Sequence, residues 1–243
     1  MKILYIDIET VPNVGFIWGM YEQNVIEFIT EWYLLSFAYK WEHEKKVHVK
    51  TLADYKLFKK DIRNDIELVR DLYLLLDEAD AVVAYNGKKF DVRKIQSRLF
   101  EHRISPPSPF RIIDPLLVIR NKFGFNSNKL DAAAKKVKIN GKIEHEGFPL
   151  WRKCYNGEEK AFNVMAKYNK GDIMPMVGVY KELLPWIDNH PNHNVYAGTK
   201  ENCPNCGSDK MEKRGMQHGK QRYQCRSCYK WCNSGTIKGI KLR

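Results

Sequence analysis

The chain has 243 residues, of which 44% are hydrophobic and 12% aromatic, so it can bury a core and is not a disordered protein. This length allows one large domain and one small one. The formal net charge of +12 favours a polyanionic partner, and nucleic acid is the usual one, although a solvated lysine surface would give the same charge. No apolar run reaches the ~18 residues of a membrane span, so we expect no membrane partner.

The first two thirds of the chain alternate between strand patterns and helix patterns. In chain order, the predicted elements are strands at 1–9, 30–41 and 46–52, a helix at 59–78, a strand at 81–87, a helix at 90–102, a strand at 111–114 and helices at 115–122 and 128–137. This order is typical of an α/β domain with a mixed sheet flanked by helices.

The last third is predicted to contain a loop, a long helix and a small module. Glycines make 140–157 a candidate active-site loop, and a helix is expected at 158–186, with a kink or break at Gly171 and Pro175. The predicted division is a domain at 1–187, a polar linker at 188–201, a cysteine-containing module at 202–235 and a basic tail at 236–243.

Acidic residues recur at positions where a metal site is plausible. Asp7 and Glu9 are two apart on a predicted strand, so both side chains leave the same face and repel each other unless a cation lies between them. An exposed pair at a strand end is equally consistent with the sequence. Asp91 follows a strand, where α/β sheets open into a ligand crevice, but it could also cap a helix. Tyr168 and Asp172 share a helix face, which could be ordinary surface decoration.

Taken together, three motifs resemble those of the DEDD superfamily, also called the DnaQ-like exonucleases, in the tyrosine subclass. The resemblance covers about residues 1–187 and implies a ribonuclease-H-like fold. The matching residues are Asp7 and Glu9 in the first motif, Asn86, Phe90 and Asp91 in the second, and Tyr168 and Asp172 in the third.

The resemblance also implies a mechanism based on two Mg²⁺ or Mn²⁺ ions. By resemblance, Asp7 would bridge both ions, Glu9 and Asp172 would complete the site that holds the attacking water, and Asp91 would hold the second ion. Two such ions stabilise charge on the attacking and leaving oxygens of a phosphodiester.

Three further roles follow from the resemblance and from the chemistry of the side chains. Tyr168 would orient the water rather than act as a strong base, since a free phenol has a pKa near ~10. Asn86 and Phe90 would shape the pocket for the terminal nucleotide.

Two Cys-x-x-Cys pairs predict a structural Zn²⁺ site in a zinc ribbon. The four expected ligands are Cys203, Cys206, Cys225 and Cys228. A redox pair is the less favoured alternative. Cys232 is interpreted as a spare thiol that could substitute as a ligand, Cys154 as an isolated structural cysteine, and His218 as a weaker candidate than the four cysteines.

Residues 199–243 carry eleven basic and three acidic side chains, a net charge of +8. Aromatic residues are interleaved with these charges, as in Tyr223, Tyr229 and Trp231, which suits phosphate contact and base stacking. The module is therefore interpreted as a nucleic-acid grip, with protein docking as the alternative.

The sequence thus predicts a 3′→5′ exonuclease that acts on DNA, favoured over RNA, from single-stranded 3′ ends. A ribonuclease or a structure-specific endonuclease on the same scaffold is one alternative, and a non-catalytic regulator led by the zinc ribbon is another. Replication or repair proteins are possible partners. Because the first residues lack the apolar core and cleavage site of a signal peptide, we expect a cytoplasmic location, or the host cytoplasm if the source is a phage.

Overall fold

The computed structural model describes residues 1–21, 24–139, 146–198 and 201–234. Its strands are β1 (Ile3–Thr10), β2 (Val14–Phe16), β3 (Glu27–Thr30), β4 (Leu34–Trp41), β5 (His48–Thr51), β6 (Ala81–Val83), β7 (Arg111–Ile113), β8 (Met211–Gln217), β9 (Lys220–Cys225) and β10 (Trp231–Asn233). Its α-helices are α1 (Ile66–Glu78), α2 (Asp91–Glu101), α3 (Pro115–Lys122), α4 (Leu130–Lys136), α5 (Phe148–Tyr155), α6 (Glu159–Leu183) and α7 (His193–Ala197).

The main sheet has five strands in the order β5-β4-β1-β6-β7. β1 is central: it pairs antiparallel with β4 on one side and parallel with β6 on the other. Helices cover both faces, because the side chains of β1 alternate between two cores. Leu4, Ile6 and Ile8 enter one core, and Ile3 and Tyr5 enter the other, which α6 covers. The predicted fold class, a ribonuclease-H-like mixed sheet flanked by helices, is confirmed.

Several predicted boundaries are wrong in ways that packing explains. The strand expected at 30–41 begins at Leu34, because Thr30 instead ends β3, which forms with β2 a separate hairpin that was not predicted. The helix expected from 59 begins at Ile66, after two short 3-10 turns. Asp65 precedes it with its carboxylate buried, accepting hydrogen bonds from the amide of Leu34 (2.9 Å) and from Arg98 (2.8 and 2.6 Å). This buried ion pair ties the start of α1 to β4 and α2.

The segment predicted as a loop at 140–157 contains α5 instead. Residues 140–145 lie outside the described part of the chain, and the helix begins at Phe148 with Pro149 in its first turn, a position that suits proline. Leu150 and Cys154, four residues apart, bury the same face. The glycine-rich composition before 148 masked this pattern.

α6 is helical from 159 to 183, so the break predicted near Gly171 and Pro175 does not occur. The helix continues through Pro175 because residues before and after the proline, Ile173 and Met176, are both buried in the second core. Tertiary packing therefore outweighs the local cost of a proline in the helix interior. The uninterrupted helix places the third motif beside the face of β1 that carries Asp7 and Glu9.

The C-terminal strands form a small three-stranded sheet, β10-β9-β8, as expected for a ribbon. The ribbon is docked on the end of α6. Asn205 donates its side-chain amide to the carbonyl of Leu184 (2.9 Å), and the ammonium of Lys230 donates to the carbonyls of Pro185 (3.2 Å) and Ile187 (2.7 Å). These bonds join the ribbon to the 3-10 turn and the residue that follow α6.

The segment predicted as a linker is more ordered than expected, because it contains α7. The amide of His193 donates to the carbonyl of Pro204 (2.8 Å), which ties α7 to the first cysteine pair. The exact domain boundaries stay a prediction. Among the described residues, no helix combines the length and apolar character that crossing a membrane requires.

Candidate active site

Four of the predicted acids come from three distant segments and converge at one end of β1. Asp7 and Glu9 lie on β1, Asp91 is the first residue of α2, and Asp172 lies on α6. The side chains of β1 that point towards α6 include both of its acids, as the period-two pattern predicts. The sheet and two helices thus bring together carboxylates that are up to 165 residues apart in the sequence.

Asp7 is the member of this group whose pKa is affected by all three of the other carboxylates. Burial raises its pKa well above the usual range, and the negative charges of Asp91, Glu9 and Asp172 raise it further. A hydrogen bond from Asn169 opposes the shift. The other three carboxylates therefore lie close enough to Asp7 to oppose its ionisation.

Glu9 and Asp91 show the same behaviour. Burial raises the pKa of Glu9 to about 8, with a further contribution from Asp172, while a hydrogen bond from the Trp151 side chain opposes the shift. Burial also raises the pKa of Asp91 to about 7, against the backbone amide of Ile8, which donates to its Oδ1 (3.1 Å). Phe90 is the helix N-cap, so Asp91 is tied to β1 rather than serving as the cap itself.

Asn169 holds Asp7 in place, and the sequence analysis missed it. Its Nδ2 donates to Oδ2 of Asp7 (2.6 Å) and to the carbonyl oxygen of Asp7 (3.2 Å). The hydroxyl of Ser36, on β4, donates to Oδ1 of Asn169 (3.0 Å) and so fixes the orientation of the amide. No motif marked this asparagine, because its burial, which requires a polar side chain to find partners, is visible only in the structure.

Tyr168 lies beside the carboxylates. Burial raises its pKa, and the charges of Asp172, Glu9 and Asp7 and a hydrogen bond to Asp172 raise it further. Its ring packs edge-on against Trp151 with centroids 5.7 Å apart. The phenol therefore stays protonated at neutral pH and can donate a hydrogen bond. Trp151 was missed because α5 was predicted as a loop.

The two residues predicted to shape the nucleotide pocket lie in the turn between β6 and α2. Asn86 has a left-handed backbone (φ 65°), and its carbonyl accepts from the amide of Phe90 (3.0 Å). Asp114 supports this turn, with its carboxylate accepting from the amides of Asn86 (3.0 Å) and Lys88 (3.2 Å). Gly87 is required there, since a Cβ would lie 2.4 Å from that of Ala84. Asp114 is a further residue that the motif did not reveal.

The donor set fits divalent cations. The neighbouring charges that raise the pKa values of Asp7, Glu9 and Asp91 are all carboxylates. Hard cations such as Mg²⁺ and Mn²⁺ prefer oxygen ligands of this kind, and their charge would offset the repulsion. The chemistry of this donor set therefore suits a divalent cation.

A second cluster lies in the ribbon, where the four predicted cysteines bring their sulfur atoms within 4.8 Å of one another. Four thiolates at this spacing fit a tetrahedral Zn²⁺. Cys232 is not part of this cluster; its Sγ lies 3.9 Å from the carbonyl oxygen of Tyr223. His218 sits in the exposed turn between β8 and β9, and Cys154 is buried in the main core.

Comparisons with known proteins agree with the architecture. A family model described as the RNase H superfamily (RNase_H_2) matches residues 4–184. No curated protein matches the chain. Among solved structures, the family B DNA polymerase from the hyperthermophilic archaeon Pyrobaculum calidifontis is similar, with a TM-score of 0.56 and 15% identity. The match covers 89% of this chain but 31% of the polymerase, so it shows a shared fold over about a third of that protein.

Proposed function

This chain belongs to the RNase H superfamily, and we propose that it is a metal-dependent 3′→5′ exonuclease of the tyrosine subclass of DnaQ-like enzymes. The observation that carries the proposal is the convergence of four carboxylates from three segments in a cluster whose members repel one another. A fold would not maintain such repulsion for stability alone, because each buried charge costs free energy unless it is paired.

Asp7, Glu9, Asp91 and Asp172 would hold two Mg²⁺ or Mn²⁺ ions. When bound, such ions stabilise the charge that develops on the attacking and leaving oxygens. The remaining work belongs to the protein. Asn169 fixes the carboxylate of Asp7, so that its oxygens keep one orientation. Second-sphere hydrogen bonds of this kind tune and orient metal ligands.

Tyr168 would position the attacking water. Its protonated phenol is hydrogen-bonded to Asp172 and packed by Trp151, so the hydroxyl has a defined direction. A phenol with a raised pKa is a poor base at neutral pH, and the phenol therefore orients the water rather than deprotonating it. Asn86 and Phe90, at the turn before α2, would hold the terminal nucleotide.

DNA is the proposed substrate, in line with the similarity to a DNA polymerase. The basic, cysteine-rich ribbon would add affinity for the nucleic-acid backbone, with one structural Zn²⁺ holding its fold. Replication or repair proteins are the proposed partners. A ribonuclease or an endonuclease would use the same carboxylates, so substrate and polarity must be measured.

The decisive experiment uses 5′-labelled single- and double-stranded DNA and RNA with Mg²⁺, Mn²⁺ or EDTA. A ladder that shortens from the 3′ end of DNA, absent with EDTA, is expected. Asp7→Asn should abolish it, whereas Asp131→Asn, which removes an acid paired with Lys135 on α4, should not. Internal cuts would indicate an endonuclease, a ladder on RNA alone a ribonuclease, and full activity of Asp7→Asn would refute the proposed site.

A further inference from the structure

The hairpin of β2 and β3 exposes an unusual amount of apolar surface. We call residues 14–21 and 24–30 the aromatic hairpin. Trp18 is 86% exposed and Tyr21 is 94% exposed. The other large exposed apolar side chains of the hairpin are Phe16, Ile17, Met20, Val25, Ile26, Phe28 and Ile29. Contiguous exposed apolar surface of this kind usually marks a binding site.

The hairpin rises from the end of the strand pair that carries Glu9. β1 pairs with β4 up to Thr10, and beyond that pairing the amide of Trp32 donates to Oδ1 of Asn13 (2.8 Å). This bond closes the base of the hairpin. The aromatic hairpin is therefore fixed at the rim of the carboxylate site.

One side of the base is joined to α5. The hydroxyls of Thr30 and Tyr155 are 3.1 Å apart and hydrogen-bonded. Tyr155 lies one helical turn after Trp151, which contacts Glu9. The guanidinium of Arg63 lies over the Tyr155 ring, 5.1 Å from its centroid, and donates to its hydroxyl (3.2 Å).

The other side of the base is joined to α2. The ammonium of Lys94 lies 3.5 Å from the centroid of the Trp32 ring and 5.9 Å from that of Phe90. Lys94 is one turn after Asp91 on the same helix. Tyr155 on one side of the hairpin base and Trp32 on the other therefore each have a cation over one face of the ring.

The two cations at the hairpin base form no ion pair with a described carboxylate, although Glu101 interacts with Lys94 at longer range. Among the ion pairs of the described residues, none joins Lys94 or Arg63 to a carboxylate. A ligand that covers the hairpin must supply negative charge at the base of the hairpin and flat or apolar groups at its tip. Single-stranded nucleic acid supplies both, since its phosphates pair with cations and its bases stack on aromatic rings. An apolar protein surface would supply no negative charge to the two cations.

We propose that the aromatic hairpin is a stacking platform for unpaired bases of the substrate strand, with Lys94 and Arg63 contacting its phosphates. The inference rests on the proposed function, because it assigns the platform to the strand that enters the carboxylate site. It explains why the exposed rings lie at this rim, and it selects single-stranded ends as substrates.

The test compares three double variants at Trp18 and Tyr21, whose exposure means that the fold should not depend on them. The Kd for a 5′-labelled single-stranded DNA 12-mer is measured on zinc-loaded protein without added Mg²⁺ or Mn²⁺, and KM and kcat are measured with Mg²⁺. Trp18→Ala with Tyr21→Ala should raise Kd and KM at least about tenfold, as expected for lost base stacking, with kcat unchanged. Trp18→Phe with Tyr21→Phe should bind nearly as wild type.

Trp18→Leu with Tyr21→Leu separates stacking from plain apolar contact, because it keeps apolar area without rings. It should bind as weakly as the alanine pair. Leu74→Ala and Phe100→Ala, which remove exposed apolar side chains from α1 and α2, are the matched controls and should bind as wild type.

Charge is tested by Lys94→Gln, which should lower the slope of log Kd against log salt by about one, whereas Lys135→Gln, already paired with Asp131, should not. A wild-type Kd for DNA in the alanine or the leucine double variant would refute the stacking platform. So would self-association of the wild-type chain that is lost in the alanine pair while DNA affinity is kept. Weakened binding in a protein without nuclease activity would retain the platform and refute the exonuclease, so the two failures are distinguishable.

Discussion

The two candidate metal sites of this chain are built in opposite ways. The carboxylate site gathers side chains from β1, α2 and α6, whose positions are set by two hydrophobic cores and by a five-stranded sheet. The cysteine site draws its ligands from two short turns within 26 residues, above a small core formed by the cysteines themselves and Met211, with Leu184 from the end of α6.

The two sites differ in whether the fold positions the metal ligands or the metal stabilises the fold. At the carboxylate site the fold holds the ligands in place and must tolerate their repulsion, so the metal is expected to relieve strain that the fold imposes. In the ribbon there is too little apolar surface to hold three short strands, so the metal is expected to supply the folding free energy. Each prediction below alters one site and compares the response of the other.

The largest effect is expected from removing zinc. Structural Zn²⁺ binding contributes roughly 10–16 kcal/mol in small zinc modules. Cys203→Ser with Cys225→Ser should therefore lower zinc content from one ion per chain to none and unfold β8–β10, while the five-stranded sheet keeps its slow amide exchange. Cys232→Ser, outside the cluster, is the control and should keep its zinc. Collapse of the main sheet in the double variant would show that the two regions fold as one unit.

The second effect is a pH dependence of stability in protein freed of Mg²⁺ and Mn²⁺ but loaded with zinc. The pKa values of Glu9 and Asp91 are raised to about 8 and about 7, so the folded chain holds these protons more tightly than the unfolded chain does. Stability should therefore fall as pH rises from about 5 through 8. Thermal unfolding followed by circular dichroism measures this slope.

Two controls sharpen the pH experiment. Asp7→Asn removes one of the repelling charges and should flatten the slope. Added Mg²⁺ should stabilise the wild type most at the high end of the pH range, because metal binds the deprotonated acids. A wild-type Tm that rises across this range without metal would contradict the buried, repelling cluster.

A smaller effect is expected at Asn169, which orients Asp7 without contacting substrate. Asn169→Ala should lower kcat about 10- to 100-fold and lower the affinity for Mn²⁺, as for other residues that support metal ligands. Asn163→Ala, at an exposed position on the same helix, is the matched control. An unchanged kcat and an unchanged affinity for Mn²⁺ would show that the hydrogen bonds of Asn169 serve packing alone.

Much of the architecture could be predicted because it depends on local pattern. The alternation in β1 predicted that Asp7 and Glu9 share a face, and the structure places both towards α6. The switch from strand to helix around 81–102 predicted the position of Asp91, since β6 and α2 follow the period change closely. Paired cysteine spacing predicted the cluster that the ribbon forms.

The rest depends on contacts between distant segments, which a single sequence does not record. Ser36 and Asn169 are 133 residues apart, and only the packing of α6 against β4 brings them together. Trp151 was hidden in a segment whose glycines favoured a loop. The aromatic hairpin was not predicted, because β2 has three residues and β3 four, too few to show an alternating pattern.

The central claim is that the four carboxylates form a divalent metal site, and Mn²⁺ titration followed by electron paramagnetic resonance tests it most directly. Zinc-loaded wild-type protein is expected to bind two Mn²⁺ ions per chain. Asp7→Asn should lose at least one of them while keeping its zinc and its fold, and Asp131→Asn should match the wild type. Two Mn²⁺ ions bound with unchanged affinity by Asp7→Asn would contradict the account.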